Sequence, residues 1–403
     1  MLPQHRHVVR QRLEYVSMLI QTDRALAEFC DGLREAPAIC VDTEFVGEGR
    51  YYPVVGAIQV AIPERAALID PLTIQDLSPL LAVLANEKIQ KVFHAAGQDL
   101  SIFYRLLGRP VPNVFDTQIA AALLGYEEQI SFVNLVERTT GVQLQKSHGF
   151  TDWLRRPLTP GQIEYALDDV RYLLPLYDRL TEELSTRGRQ AWAREEFARL
   201  EEIDRYLPVD PHELYLRIRG VERIRGQALA ILRELAAWRE ETALAKNLPP
   251  GRIARDEVLV ELARRPRESI KELHEVRGLQ GQQIERFGMG FIDAARRGST
   301  APRPTPKRIT PLPTRMEPTV DFLVLCLRSL TAEEEVAAGV VATRGDLIDL
   351  VVHGDHADIS LMRGWRRQAF GTALLATLEG KATARIIAAT RQVHLDWHAT
   401  TGE

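Results

Sequence analysis

AICVDTEF, residues 38–45, is an apolar run that carries two carboxylates, Asp42 and Glu44, one residue apart. Its β-branched and aromatic content reads as a buried strand. Side chains at i and i+2 of a strand share a face, so both acids aim at one spot from the end of a hydrophobic strand. Like charges this close repel unless one is protonated or a cation neutralises them. Most D-x-E pairs are exposed strand-end acids. Apolar flanks on both sides argue against that here.

Outward from this stretch, strand-like and helix-like segments alternate. YVSMLI (15–20) reads as a strand, followed by a helix capped at Thr22 or Asp23. GAIQVAI (56–62) and AALID (66–70) read as hairpin partners turning at PER. A helix over 76–86 leads to a short buried strand, KVFHA (91–95), and helices dominate from Gln98 onward. The pattern predicts an α/β domain with a mixed sheet. Gly47 and Gly49 lack the G-x-G-x-x-G spacing and follow the acids instead of opening a helix, which excludes a dinucleotide loop. Thr159-Pro160 opens a helix expected to run to about residue 185 with a bend at Pro175. Residues 210–297 are almost purely helical in pattern, broken at NLPP (247–250) and RGL (277–279). STAPRPTPKRITPLPT (299–314) is a Pro-rich linker, and 317–403 forms a third, mainly helical unit.

The 403 residues suffice for two or three cored domains, and 45% hydrophobic with 26% charged is ordinary globular composition. No apolar run reaches membrane-spanning length and nothing N-terminal reads as a signal, so the expected compartment is the cytoplasm, with no membrane partner. Cys30, Cys40 and Cys326 lack ligand spacing and read as buried thiols. Net charge is −4, but residues 211–316 carry 21 Lys plus Arg against 13 Asp plus Glu. A basic centre in an acidic remainder fits a polyanion-binding module beside a metal-binding one, and equally a solvated face.

Further acids stand at suggestive places. Asp99 follows KVFHA at the start of a helix, where it is either a site residue or a cap. Asp116, in NVFDTQIAAALLG, reads as a cap. In EYALDDV, Tyr165 and Asp169 are four apart and share a helical face, whereas Asp168 lies roughly 100° round the helix from Asp169.

Asp42, Glu44, Asp99, Tyr165 and Asp169 together resemble the DEDD superfamily of 3′→5′ exonucleases, in the subgroup whose last motif is Tyr-x-x-x-Asp. FVGEGRYYPVVGAIQVA, KVFHAAGQDLSIF, FDTQIAAALLG and TDWLRRPLTPGQIEYALDDVRYLLPLYDRL are similar, in order, to blocks of the ribonuclease D family. YLRIRG (215–220) and LRELAAWREETALAKNLPP (232–250) resemble an HRDC domain, a module also found in RecQ-type helicases. The tail, with LMRGWRRQAFGTALLATLEG, resembles a second helical domain of that kind. The resemblance implies a ribonuclease H-like mixed-sheet exonuclease domain at 15–208 after an extension at 1–14. It implies an HRDC domain at 209–297, a basic linker at 298–316 and a second HRDC-like domain at 317–403.

On this resemblance Asp42, Glu44, Asp99 and Asp169 are expected to bind metal. An all-oxygen set points to Mg²⁺ or Mn²⁺ over zinc, with no organic cofactor. Two ions about 3.5–4 Å apart are expected to clamp the scissile phosphate. Tyr165, with a reference pKa near ~10, is assigned to orienting water, since it is a poor base at neutral pH. His94 reads as structural. Trp153, Arg155 and Arg156 either meet bases and phosphates or serve packing and solvation, and Tyr51 and Tyr52 are ambiguous in the same way. Arg303, Lys307, Arg308 and Arg315 of the linker lack acidic neighbours in sequence and are expected phosphate contacts. The expected function is a metal-dependent 3′→5′ exoribonuclease acting on tRNA precursors and other structured RNAs. Polarity and tRNA preference come from the resemblance; residue spacing gives only a multi-carboxylate phosphodiesterase site. The alternatives are a DNA exonuclease on the same fold and a non-catalytic RNA-binding adaptor, against which the intact acid set argues.

Overall fold

In the computed structural model, residues 16–144, 151–305 and 312–397 are described. Strand β1 (Val16–Ile20) leads into helix α1 (Asp23–Asp31), whose N-cap Thr22 accepts the Ala25 amide, as its sequence predicts. AICVDTEF lies in strand β2 (Ala38–Val46). Strands β3 (Val54–Ile62) and β4 (Arg65–Ile69) pair antiparallel as a hairpin, with Glu64 in the turn at φ 66°. Helix α2 (Ser78–Leu84) starts two residues later than expected, because the amide and hydroxyl of Ser78 both donate to Asp76. Strand β5 (Gln90–Phe93) stops short of His94 and Ala95, which form the turn into α3 (Gly97–Leu107). Strand β6 (Val114–Asp116), α4 (Thr117–Ala122) and α5 (Phe132–Thr140) follow.

The six strands form a mixed sheet in the order β1-β4-β3-β2-β5-β6, in which β1–β4, β2–β5 and β5–β6 are parallel. Alternation sorts β2 by face. Ile39 and Val41 join the core with Leu26, Phe29, Phe93, Leu100 and Phe103, from α1, β5 and α3. Cys40, Asp42 and Glu44 therefore point to the other side of the sheet.

The expected long helix is two, α6 (Pro160–Arg171) and α7 (Leu173–Thr186), broken at Tyr172 instead of bending at Pro175. Pro175 has no amide to give the carbonyl of Arg171, so the interruption falls one turn earlier. Helix α8 (Gln190–Leu200) follows.

Residues 207–309, together with 45–54, form a second compact unit. Its helices are α9 (Gln227–Lys246), α10 (Pro250–Ile253), α11 (Asp256–Arg264), α12 (Ile270–Leu273) and α13 (Gly281–Thr300). The breaks fall where the sequence places them: Asn247 ends α9 in the left-handed region and Gly278 precedes α13 at φ +88°. At Gly298 a Cβ would lie 2.4 Å from the Cα of Ile231, so glycine is what allows α9 and α13 to pack this closely. Helix α13 extends to Thr300, later than the expected linker start, and Arg303 donates to Gln227 Oε1 at 3.2 Å instead of standing unengaged. Lys307 and Arg308 lie outside the described residues.

The C-terminal part, from α14 (Glu317–Glu333) onward, groups into one compact unit with the sheet domain. It ends in an antiparallel hairpin, β7 (Ala382–Ile387) and β8 (Gln392–Trp397), that the helical expectation missed. Arg366 makes a buried bidentate ion pair with Glu196 of α8, which also accepts the Trp365 indole N–H at 2.8 Å. Trp192 stacks on Trp365 at 4.6 Å. Arg189 donates to the carbonyl oxygens of Leu123, Glu334 and Glu335. All three cysteines are free and buried, and no helix among the described residues is long and apolar enough to cross a membrane.

Candidate active site

The carboxylates of Asp42, Glu44 and Asp169 converge, with an oxygen from each lying within 4.8 Å of the others. Strand β2 supplies the first two from one face. Helix α6 supplies the third, and its start is fixed by a capping box in which Thr159 and Gln162 satisfy each other's backbone amides. Tyr165 lies one turn before Asp169 on the same helix. Asp168 is drawn aside into an ion pair with Arg171 at 2.9 Å. Only Asp169 of the acidic doublet joins the cluster, in accord with the helical spacing.

Asp99 sits in the first turn of α3, buried, beyond the C-terminal end of β5. It is outside the 4.8 Å group and is not a cap; its carboxylate accepts the Thr43 hydroxyl. Its charge nevertheless reaches the others. Burial first, then Asp99, Asp169 and Glu44, hold the Asp42 carboxyl well above the usual range. Glu44 is pushed up to about 8 by burial and by Asp169 and Asp99. Burial dominates the rise at Asp99 and at Asp169, where Asp168 adds to it. The Tyr165 phenol is raised by burial and then by Asp169, Glu44 and Asp42.

Among the described residues no Lys or Arg forms an ion pair with any of these four acids. Uncompensated carboxylates that are buried, as Asp99 is, or half-buried, as the other three are, are costly. Oxygen-only donors with a deficit of positive charge fit hard divalent cations, and the residues present are suited to hold them.

Asp116 is indeed a cap, accepting the amides of Gln118 and Ile119. It also accepts those of Ala95 and Ala96 at 3.1 and 2.8 Å, and so fixes the turn that delivers Asp99. His94 is structural, as expected, hydrogen-bonded to Thr117 Oγ1 and the Ile130 carbonyl. Trp153 is buried with its ring 6.3 Å from that of Tyr165, which favours packing. Arg156 answers to neither expectation. It is neither solvated nor open to phosphate, but forks onto Asp70 through two hydrogen bonds of 2.7 Å. Arg155 is exposed. Tyr51 is engaged through its phenol with Glu240, and the Tyr51 and Tyr52 amides donate to Asn247. Sequence reasoning passed over Thr43 and Asp70. Asp70 directly follows the apolar strand β4, a signal that was available.

A mixed sheet that brings acids together beside a Tyr-x-x-x-Asp helix fits a metal-dependent phosphodiesterase, and residues 18–185 match the 3'-5' exonuclease family. Residues 228–294 match the HRDC domain. Ribonuclease D of Sphingobium indicum is 40% identical over 370 residues, covering 90% of this chain and 95% of that one. Ribonuclease D of Nitrobacter hamburgensis is 37% identical over 372 residues, with 91% and 97% covered. The crystal structure of Escherichia coli RNase D, described as an exoribonuclease involved in structured RNA processing, superposes with a TM-score of 0.81 at 34% identity. It covers 89% of this chain and 98% of that one. The chain belongs to the ribonuclease D family and is a 3′→5′ exoribonuclease.

Proposed function

We propose that this exoribonuclease trims the 3′ extensions of tRNA precursors and other structured RNAs in the cytoplasm, using two divalent ions, Mg²⁺ or Mn²⁺. The ligands are Asp42, Glu44, Asp99 and Asp169. The observation that carries this reading is the convergence of Asp42, Glu44 and Asp169 without a basic partner among the described residues. When bound, such ions lower the pKa of water and stabilise the leaving oxygen of the phosphodiester. Asp99, held by the Thr43 hydroxyl, adds a fourth anionic side chain next to that group. Tyr165 stays protonated throughout the neutral range, because burial and three acids raise its pKa. Its role is to orient water with a phenol O–H, not to abstract a proton.

In this reading residues 15–208 carry the chemistry, 209–297 are an HRDC domain that engages RNA, and 317–403 complete the nuclease body. Two observations support the RNA-binding role. The helical unit holds a groove of about 690 Å³ lined by Arg252, Arg255, Arg286 and Phe287, with no acid in its wall. None of these arginines has an acidic partner among the described residues, whereas Arg233, Arg239 and Arg267 are paired. The Escherichia coli relative, described as acting on structured RNA, supports the substrate class.

The test is digestion of a tRNA bearing a 3′ extension, beside the same extension as free single strand and a matching DNA. The extension should be trimmed with Mg²⁺ or Mn²⁺ and digestion should slow near the folded body, with the DNA resistant. Preference for the DNA, or cleavage that ignores the tRNA fold, would contradict the assignment.

A further inference from the structure

Residues 151–159 form a loop that leads into α6, and attachments to β3, to the end of β4 and to α6 itself hold it in place. Arg156 donates through Nε and Nη2 to the two carboxylate oxygens of Asp70, both at 2.7 Å. The Asp70 side chain is fully buried, and it also accepts the Leu72 amide and the Gln21 amide group. The same guanidinium donates at 2.6 Å to the carbonyl of Gly56 in β3, and at 2.8 Å to that of Trp153. A single planar fork thus joins β3, the end of β4 and the loop.

The loop also rests on Gly56 by contact. A Cβ at that position would lie 2.5 Å from the Trp153 carbonyl oxygen and 2.7 Å from its Cβ. Trp153 is buried, and its ring meets that of Tyr165 at 6.3 Å. At the far end the loop is tied to α6 by Gln162, whose side-chain amide donates to Thr151 at 3.1 Å. None of these residues belongs to the acid cluster.

We infer that Asp70, Arg156 and Gly56 form a clamp that seats Trp153 against Tyr165 and so sets where the Tyr165 hydroxyl points. They are positioning residues, acting on the reaction only through Tyr165. The inference rests on the water-orienting role proposed for Tyr165. Its physical basis is that a buried bidentate pair fixes orientation as well as distance. Displacement of a reacting or positioning group by about 1 Å costs on the order of 10²-fold in rate.

The test is a double-mutant cycle in full-length protein, read as single-turnover cleavage of a short labelled RNA at saturating Mn²⁺. Asp70→Asn, Gly56→Ala and Trp153→Phe are each made with Tyr165 present and in a Tyr165→Phe background. With Tyr165 present, each should slow the chemical step by roughly tenfold or more while RNA affinity stays within about twofold. In the Tyr165→Phe background the same changes should cost less than about twofold, because there is no hydroxyl left to misplace. Asp70→Asn strips the partner from a half-buried guanidinium and risks unfolding. Gly56→Ala and Trp153→Phe leave every charge paired and carry the test if it does unfold. Equal slowing in both backgrounds, or none in either, would overturn the clamp. If Tyr165→Phe alone leaves the rate unchanged, the role of Tyr165 falls and the clamp with it, while nuclease activity of the unsubstituted protein stands separately.

Discussion

At Glu44 the conflict between sequence and solvation is most direct. Its folded pKa is about 8, against about 4.3 for an unperturbed glutamate. Between those values the folded state binds a proton that the unfolded chain has released. The metal-free protein therefore loses stability from this group as pH rises through that window. A divalent ion needs the carboxylate, so its stabilising effect should grow over the same range. Melting curves should show a larger Mn²⁺-induced rise in Tm at pH 8 than at pH 6, and Glu44→Gln should flatten the difference. A pH-independent metal effect would contradict the assignment. Asp42, Glu44 and the Tyr165–Asp169 pair were legible because strand and helix periods alone place them on shared faces. Asp99 was not separable from a cap by spacing, and the resemblance decided it. Arg156 was not legible either, because its partner Asp70 lies 86 positions away and only the tertiary fold joins them.

Among the elements, local chemistry was a good guide wherever caps or turns determine the boundary. Thr22, Thr159 and Asn247 stop or start helices where their side chains or backbone preferences dictate. The failures are instructive in the same terms. Tyr172 separates α6 from α7 because a missing amide acts one turn upstream of Pro175. The β7–β8 hairpin escaped because ATARII and QVHLDW are short and charged, with no strong turn signal between them. Asp116 couples two elements, capping α4 and holding the turn that precedes Asp99. Asp116→Ala should cost about 1–2 kcal/mol as a lost cap, and should also slow single-turnover hydrolysis. Urea unfolding beside the kinetic assay checks both. A wild-type rate would mean that Asp99 is placed without it.

For the whole molecule, composition marked the Pro-rich boundary near residue 300, but the grouping of the tail into one compact unit with the sheet domain was not legible. A fragment ending near residue 208 keeps all five candidate site residues, yet it removes Arg366 and uncovers Trp192 and Glu196. Arg366→Ala in the full chain should lower stability by about 3 kcal/mol or more, because one partner of a buried pair is removed. An unchanged unfolding midpoint would show the tail to be only loosely attached. In the helical unit, replacing Arg252, Arg255 and Arg286 by Ala should weaken RNA binding at low salt and flatten its salt dependence. The expected change is roughly 0.7–0.9 in log–log slope per lost phosphate contact. Equal slopes over a salt series would leave that groove without an RNA role. The central claim is that Asp42 and its neighbours hold divalent ions that drive 3′→5′ hydrolysis of RNA. Its most direct test is time-resolved digestion of a 5′-labelled RNA with Mg²⁺ or Mn²⁺, by the wild type and by Asp42→Ala. The account predicts a ladder shortening one nucleotide at a time from the 3′ end for the wild type. The variant should yield no ladder while still binding RNA within a few-fold. Internal fragments from the wild type, or a normal ladder from Asp42→Ala at saturating metal, would contradict it.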